Sequence, residues 1–146
     1  LMEYCSGGSL ANFLKRQITL SVPLARHFTA ELVVALEFLR EQKIVHRDLK
    51  PGNVVLGSDL HMKLIDFATC KVFNESIQAE ITKLESQYPK QAAADGERCY
   101  SMVGTEQYIA PEVLANEEVC YATVLWSLGV ILYEMISGQT PFQGRN

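Results

Sequence analysis

Cysteine, positive charge and long apolar runs are all scarce in this sequence. Cys5, Cys70, Cys99 and Cys120 stand far apart, with no C-x-x-C pair and no histidine beside them at ligand spacing. That disfavours a cysteine-based zinc site or a disulfide framework and fits reduced thiols in a cytoplasmic protein. Lys and Arg number 13 against 17 Asp and Glu, a net charge of −4, so no basic stripe is available for nucleic acid. The most apolar window, Ala122 to Ile136, contains Glu134 and is too short to cross a bilayer; a buried core helix suits it better. No charged-then-apolar leader opens the chain, and neither an internal repeat nor a second domain is visible. The first residues read as the end of a strand, so the sequence reads as a fragment of a longer protein. Its 146 residues, 48% hydrophobic and 21% charged, are otherwise those of one ordinary globular unit.

What is there centres on His46-Arg47-Asp48-Leu49-Lys50-Pro51-Gly52-Asn53, followed by Val54-Val55-Leu56 and by Leu64-Ile65-Asp66-Phe67. Acid, base and amide at fixed offsets, without helical period, mark a site and not a core. Val54 to Leu56 and Met62 to Ile65 are β-favouring runs separated by the turn composition Gly57-Ser58-Asp59, which predicts a hairpin. Residues at the mouth of a hairpin are cross-strand neighbours, so Asn53 is expected beside Asp66. One amide oxygen and one carboxylate suit a hard, oxygen-seeking cation such as Mg²⁺, which also takes phosphate oxygens and water. Asp48 is then within reach of whatever that cation holds, and Lys50 can meet the same phosphate as a point charge.

The rest of the chain supports this loop. Ser9 is placed to cap a short helix through Lys15. A longer helix runs from about Pro23, behind Ser21, to about Gln42. Its buried face is Leu24, Phe28, Leu32, Ala35, Leu36 and Leu39, and His27 beside that face reads as a packed or surface histidine, not a ligand. Residues 74–99 are rich in Glu, Gln, Ala and Lys and read as a flexible insert, a solvated loop by default. The alternative is a short docking helix, because Ile77, Ile81, Leu84 and Tyr88 share one helical face before Pro89. Thr123 to Ser137 is predicted as an apolar helix with Gly138 as its C-terminal cap.

The motifs H-R-D-L-K-P-G-N and D-F-A, with Ala110-Pro111-Glu112 further on, resemble the catalytic loop, metal-binding turn and A-P-E of the eukaryotic protein kinases. The stretch 60–73, with Ser101-Met102-Val103-Gly104-Thr105 and Gln107-Tyr108, is most similar to the phosphoinositide-dependent members of the AGC group of serine/threonine kinases. The resemblance implies an α+β fold: the mostly helical C-terminal lobe of a kinase, with a small β-hairpin at the active site. Residues 1–146 would form a partial kinase domain, from the hinge to the start of the helix after the long buried one. Its Gly-rich loop, strand lysine and glutamate partner would lie upstream.

Residue by residue, the resemblance implies that Asp48 accepts the proton of the substrate hydroxyl, that Lys50 meets the transferring phosphate, and that Asn53 and Asp66 hold Mg²⁺. ATP would be bounded by Met2 at the gatekeeper position, by Glu3 and Cys5 of the hinge, by Val55 under the adenine, by Ser9 near the ribose and by Ile65. Ser101 corresponds to the activation-loop phosphosite, where a phosphate would pair with Arg47 and Lys71. Thr105 would touch Asp48 and Lys50, as in kinases for serine and threonine. Partners would be protein substrates, with the activation loops of other kinases foremost, and any membrane-targeting domain would lie outside these residues. Two departures stand against the pattern. Ala68 replaces the D-F-G glycine, where positive φ would strain an alanine, and Val124 replaces the aspartate that usually precedes L-W-S. They motivate the alternative of a pseudokinase scaffold or binding module. A small-molecule kinase is a third reading, disfavoured by Gly104-Thr105 and Ala110-Pro111-Glu112.

Overall fold

The structure is a computed structural model, which describes residues 3–87, 106–115 and 120–143. Met2, Cys99, Ser101 and Thr105 lie outside the described residues, as does the insert beyond residue 87. The elements run β1 (Gly8–Ser9), α1 (Leu10–Gln17), α2 (Val22–Glu41), β2 (Ile44–Val45), β3 (Val54–Leu56), β4 (Met62–Leu64), β5 (Lys71–Val72), α3 (Glu75–Gln87), α4 (Pro111–Leu114) and α5 (Tyr121–Ser137). This is the α+β organisation the sequence implied. One small antiparallel sheet has the order β1-β3-β4, and β2 pairs with β5 in a second.

The helices form for local reasons and are held by one apolar cluster. Ser9 accepts the Asn12 N–H at 3.2 Å, closing the first turn of α1. Pro23 lies in the first turn of α2, where its missing N–H would have had no helical partner. α2 buries Ala25, Phe28, Leu32 and Leu39, while α5 buries Val124, Leu128, Ile131 and Met135. These two faces meet Leu10 and Leu14 of α1 and Val54 and Leu56 of β3 in a common core. No helix among the described residues is long and apolar enough to cross a membrane.

Two glycines are set by geometry. Gly138 ends α5 at φ 79°, and a Cβ there would stand 2.9 Å from the Ile18 carbonyl oxygen. Gly7 donates to the Leu56 carbonyl at 3.0 Å, and a Cβ on it would lie 2.7 Å from that same oxygen. The chain therefore enters β1 close against β3, which lays residues 3–9 along the edge of the hairpin.

The first half of the insert is helical. α3 covers Glu75–Gln87, so over these residues the solvated-loop reading gives way to the helical alternative. Asn74 starts it: its Oδ1 accepts the N–H groups of Ser76 at 3.2 Å and Ile77 at 3.4 Å, as an N-cap does. Ile77 and Ile81 are half-buried, and Leu84 is exposed.

Candidate active site

The hairpin forms as the apolar runs dictate. β3 and β4 pair as Val54↔Leu64, Val55↔Lys63 and Leu56↔Met62, and Leu60 closes the turn in the left-handed region at φ 65°. The Ile65 N–H donates to the Asn53 carbonyl at 3.0 Å. Asn53 is thus paired with Ile65, and Asp66 stands one residue past the ladder, where its φ of 63° turns the chain. The Ala68 N–H meets the Asp66 carboxylate at 3.4 Å. The left-handed residue of this turn is Asp66, and Ala68 is not among the residues with positive φ, so the strain expected of an alanine at the D-F-G glycine position is absent.

Asp48, Lys50 and Asn53 converge on one atom. Oδ2 of Asp48 accepts from the Asn53 side-chain amide at 2.8 Å and lies 2.8 Å from Nζ of Lys50. The same Asn53 nitrogen also donates to the Asp48 carbonyl at 2.8 Å. Both amide hydrogens of Asn53 are spent on Asp48, which leaves its Oδ1 as an acceptor. An amide oxygen and a carboxylate such as that of Asp66 are hard donors, the kind Mg²⁺ takes while keeping water and phosphate ligands.

His46 positions this loop, a role the sequence reading left unassigned. It is buried and edge-on to the Phe67 ring at 5.0 Å. Its Nε2 lies 3.0 Å from the Ile65 carbonyl, while the Asp48 N–H points at Nδ1 at 3.4 Å. A carbonyl can only accept and an amide N–H can only donate, so the ring is neutral with its proton on Nε2. Burial, only partly opposed by the Ile65 bond and by Asp48 and Asp66, holds its pKa below the usual histidine value. Unfolded chains then bind more protons than folded ones between the lowered folded pKa and about 6.5. Stability from this site is full above about pH 6.5 and is lost as pH falls toward the folded value. A proton NMR titration of the His46 ring in the folded protein is expected to show a midpoint below the ordinary histidine value of about 6.5.

Arg47 takes the left-handed conformation at φ 68° and donates through Nε to the Thr69 carbonyl, while Thr69 Oγ1 donates back to the His46 carbonyl at 3.3 Å. Non-glycine residues persist in this region where their surroundings over-determine them, often at functional sites. Arg47 and Asp66 are two such residues on either side of Asp48. Lys71 faces Val45 across the β2–β5 ladder, and its ammonium lies 4.7 Å from the centre of the Phe73 ring. Of the two cations expected to meet a phosphate, Lys71 is on this ladder and Arg47 follows β2 by two residues.

The resemblance gave Ser9, Val55, Glu3, Cys5 and Ile65 to the nucleotide. Ser9 and Val55 are cross-strand partners, although the Ser9 hydroxyl is already used as the α1 cap. Glu3 pairs with Lys63 through its side chain, and the Cys5 carbonyl accepts the Gly8 N–H at 3.2 Å. Ile65 is exposed. Further along, the short turn 106–108 is fastened to α5: Ser127 donates to the Tyr108 carbonyl at 2.7 Å, and the Tyr108 hydroxyl donates to Glu134 at 2.6 Å. Burial and that carboxylate push the Tyr108 phenol well above its usual range. The polar residue within the apolar helix is thereby explained, and α4, which holds Pro111 and Glu112, is anchored next to it.

Residues 1–146 match the family described as protein kinase domain. The chain is 36% identical over 146 residues to the serine/threonine-protein kinase PKH3 of Saccharomyces cerevisiae, covering 100% of this chain and 16% of that protein. It is 41% identical over 142 residues to 3-phosphoinositide-dependent protein kinase 1 of Arabidopsis thaliana, covering 97% and 27%. With the Homo sapiens protein of that name it shares 37% over 145 residues, covering 99% and 23%. The chain thus spans between 16% and 27% of the length of these relatives.

Proposed function

The chain belongs to the protein kinase family, and from that premise we propose that the protein it is part of transfers the γ-phosphoryl group of ATP to serine and threonine hydroxyls of protein substrates, the activation loops of other kinases among them. The observation that carries this reading is the convergence of Lys50 and Asn53 on Asp48 Oδ2. Two partners fix one carboxylate oxygen, and in our reading this leaves the other to accept the proton of the incoming hydroxyl. Lys50 then turns from Asp48 to the phosphoryl group as charge moves onto it. Asn53 Oδ1 and Asp66 would hold Mg²⁺, which supplies charge neutralisation on the phosphates. Ser9, Val55, Ile65 and the backbone of Glu3 and Cys5 would bound the nucleotide, with Met2 at its inner edge. Thr105 would orient the acceptor hydroxyl.

We place the protein in the cytoplasm, with protein partners rather than nucleic acid, and with any membrane-targeting domain outside these residues. The domain reading is that 1–146 is part of a kinase domain and 74–99 an insert in its activation segment. Ser101 would be the switch. A phosphate there adds about −1.5 to −2 charge, and in our reading Arg47 and Lys71 would pair with it. A binding module without turnover is the second reading, favoured by Val124 in the place of an aspartate.

The test is transfer from labelled ATP to serine, threonine and tyrosine versions of one activation-loop peptide by the full-length protein. Label on serine and threonine but not tyrosine is expected. Transfer to tyrosine alone, or no transfer at all, overturns the reading. In the same assay Ser101→Ala and phosphatase treatment are each expected to lower the rate, and equal rates before and after phosphatase would leave Ser101 an ordinary surface serine.

A further inference from the structure

Two histidines and a carboxylate meet at the closed end of the hairpin, opposite the end that bears Asn53 and Asp66. His27 and Glu31 lie one turn apart on α2, with His27 Nε2 3.5 Å from Glu31 Oε1. His61, in the turn between β3 and β4, aims Nδ1 at that same oxygen. The potential ligand atoms of the three all lie within 4.8 Å of one another, and the two imidazole rings are 6.1 Å apart. The groups are held from behind. Glu31 Oε2 accepts the Met62 N–H at 2.8 Å, and Asp59 Oδ1 accepts the His61 N–H at 3.1 Å.

We propose that His27, Glu31 and His61 form a binding site for a divalent transition metal of the Zn²⁺ class, which clamps the hairpin turn to α2. Two imidazole nitrogens and one carboxylate oxygen are a ligand set that zinc and its neighbours take, with the remaining position left to water. Mg²⁺ and Ca²⁺ prefer all-oxygen sets, so the chemistry differs from that of the Asn53 and Asp66 end. Tetrahedral coordination at about 2.1 Å spaces ligand atoms by about 3.4 Å. The His27 and Glu31 atoms already have that spacing, and the exposed His61 ring has only to back away from Glu31. The Met62 N–H on Oε2 orients the carboxylate to offer Oε1 alone, as groups behind the ligands do in metal sites. His27, expected from sequence to be a packed or surface residue, becomes a ligand because the hairpin brings His61 to it. The metal would hold the hairpin from the end opposite the candidate catalytic residues.

The experiment titrates Co²⁺, then competing Zn²⁺, into the full-length protein with excess Mg²⁺-ATP present. One equivalent of Co²⁺ is expected to bind with visible absorption, to be displaced by Zn²⁺, and to raise the melting temperature. His27→Ala and His61→Ala should each weaken binding by about tenfold or more, whereas Asp66→Asn should leave it unchanged. His27 is half exposed, so its variant keeps the test decisive if His61→Ala folds poorly. Wild-type affinity in His27→Ala, or no absorption change in the wild type, would overturn the proposal and leave Glu31 as a hydrogen-bonding partner of His61 and Met62 only.

Discussion

Asp48→Asn in the full-length protein is expected to slow phosphoryl transfer by about 10²- to 10⁴-fold, the usual contribution of a positioned general base, while ATP affinity stays nearly unchanged. The substitution is close to isosteric, and an amide oxygen at the Oδ2 position still accepts the Asn53 side chain that bonds there at 2.8 Å. What is lost is the carboxylate that receives the proton and the ion pair to Lys50, also 2.8 Å long. Asp66→Asn is expected to act differently. A neutral amide in place of the carboxylate weakens the hold on the metal, so KM for Mg²⁺-ATP should rise as kcat falls. Steady-state rates with a peptide acceptor, set beside calorimetric ATP affinities, separate the two. Wild-type turnover in both variants would show that these residues carry no chemistry, and an equal loss of ATP affinity in both would show that Asp48 belongs to the nucleotide site.

Much of this site could be read along the chain because its parts are local. Asp48, Lys50 and Asn53 lie within one short loop, and the alternation of Val54-Val55-Leu56 with the turn at Gly57 predicts the hairpin without tertiary information. The register differs by one residue from the expected one. β4 stops at Leu64, Ile65 takes the Asn53 carbonyl, and the left-handed turn at Asp66 does what a longer ladder was expected to do. The same shift explains Ala68: the backbone reversal falls on the aspartate, so the alanine is relieved of it. α3 is weakly marked in the sequence because its apolar face is narrow and its cap is a single asparagine. The positioning role of His46 and the His27, Glu31 and His61 cluster depend on contacts between residues about 20 to 30 positions apart, for which hydrophobic periodicity carries no signal. The i, i+4 spacing of His27 and Glu31 was the one trace of the cluster in the sequence.

Val124→Asp is expected to raise both melting temperature and turnover. Val124 is in the first turns of α5, buried at 7% exposure and in the same apolar cluster as Val45 and Leu49, the residues that bracket His46 to Asp48. In the family pattern an aspartate here accepts backbone N–H groups of that loop, and an unsatisfied buried donor costs about 1 to 3 kcal/mol. Arg47, in that loop, has a left-handed backbone at φ 68° and is held on one side by the Thr69 carbonyl. A carboxylate at 124 would fasten the loop from the α5 side as well, and near a helix N-terminus it is favoured by about 0.3 to 1 kcal/mol besides. Opposing this is the cost of burying a charge among apolar side chains, which exceeds the gain unless the loop N–H groups meet it. The sign of the change therefore reports on the loop. Val124→Asn separates the contributions, because its amide oxygen accepts the same hydrogen bonds without the charge. Melting temperature and transfer rate of the complete kinase domain decide the matter: a gain in both with Asp and a smaller gain with Asn fit a loop short of acceptors. A lower melting temperature with both would mean that another group already satisfies the loop and that valine at this position is a fully accommodated core residue.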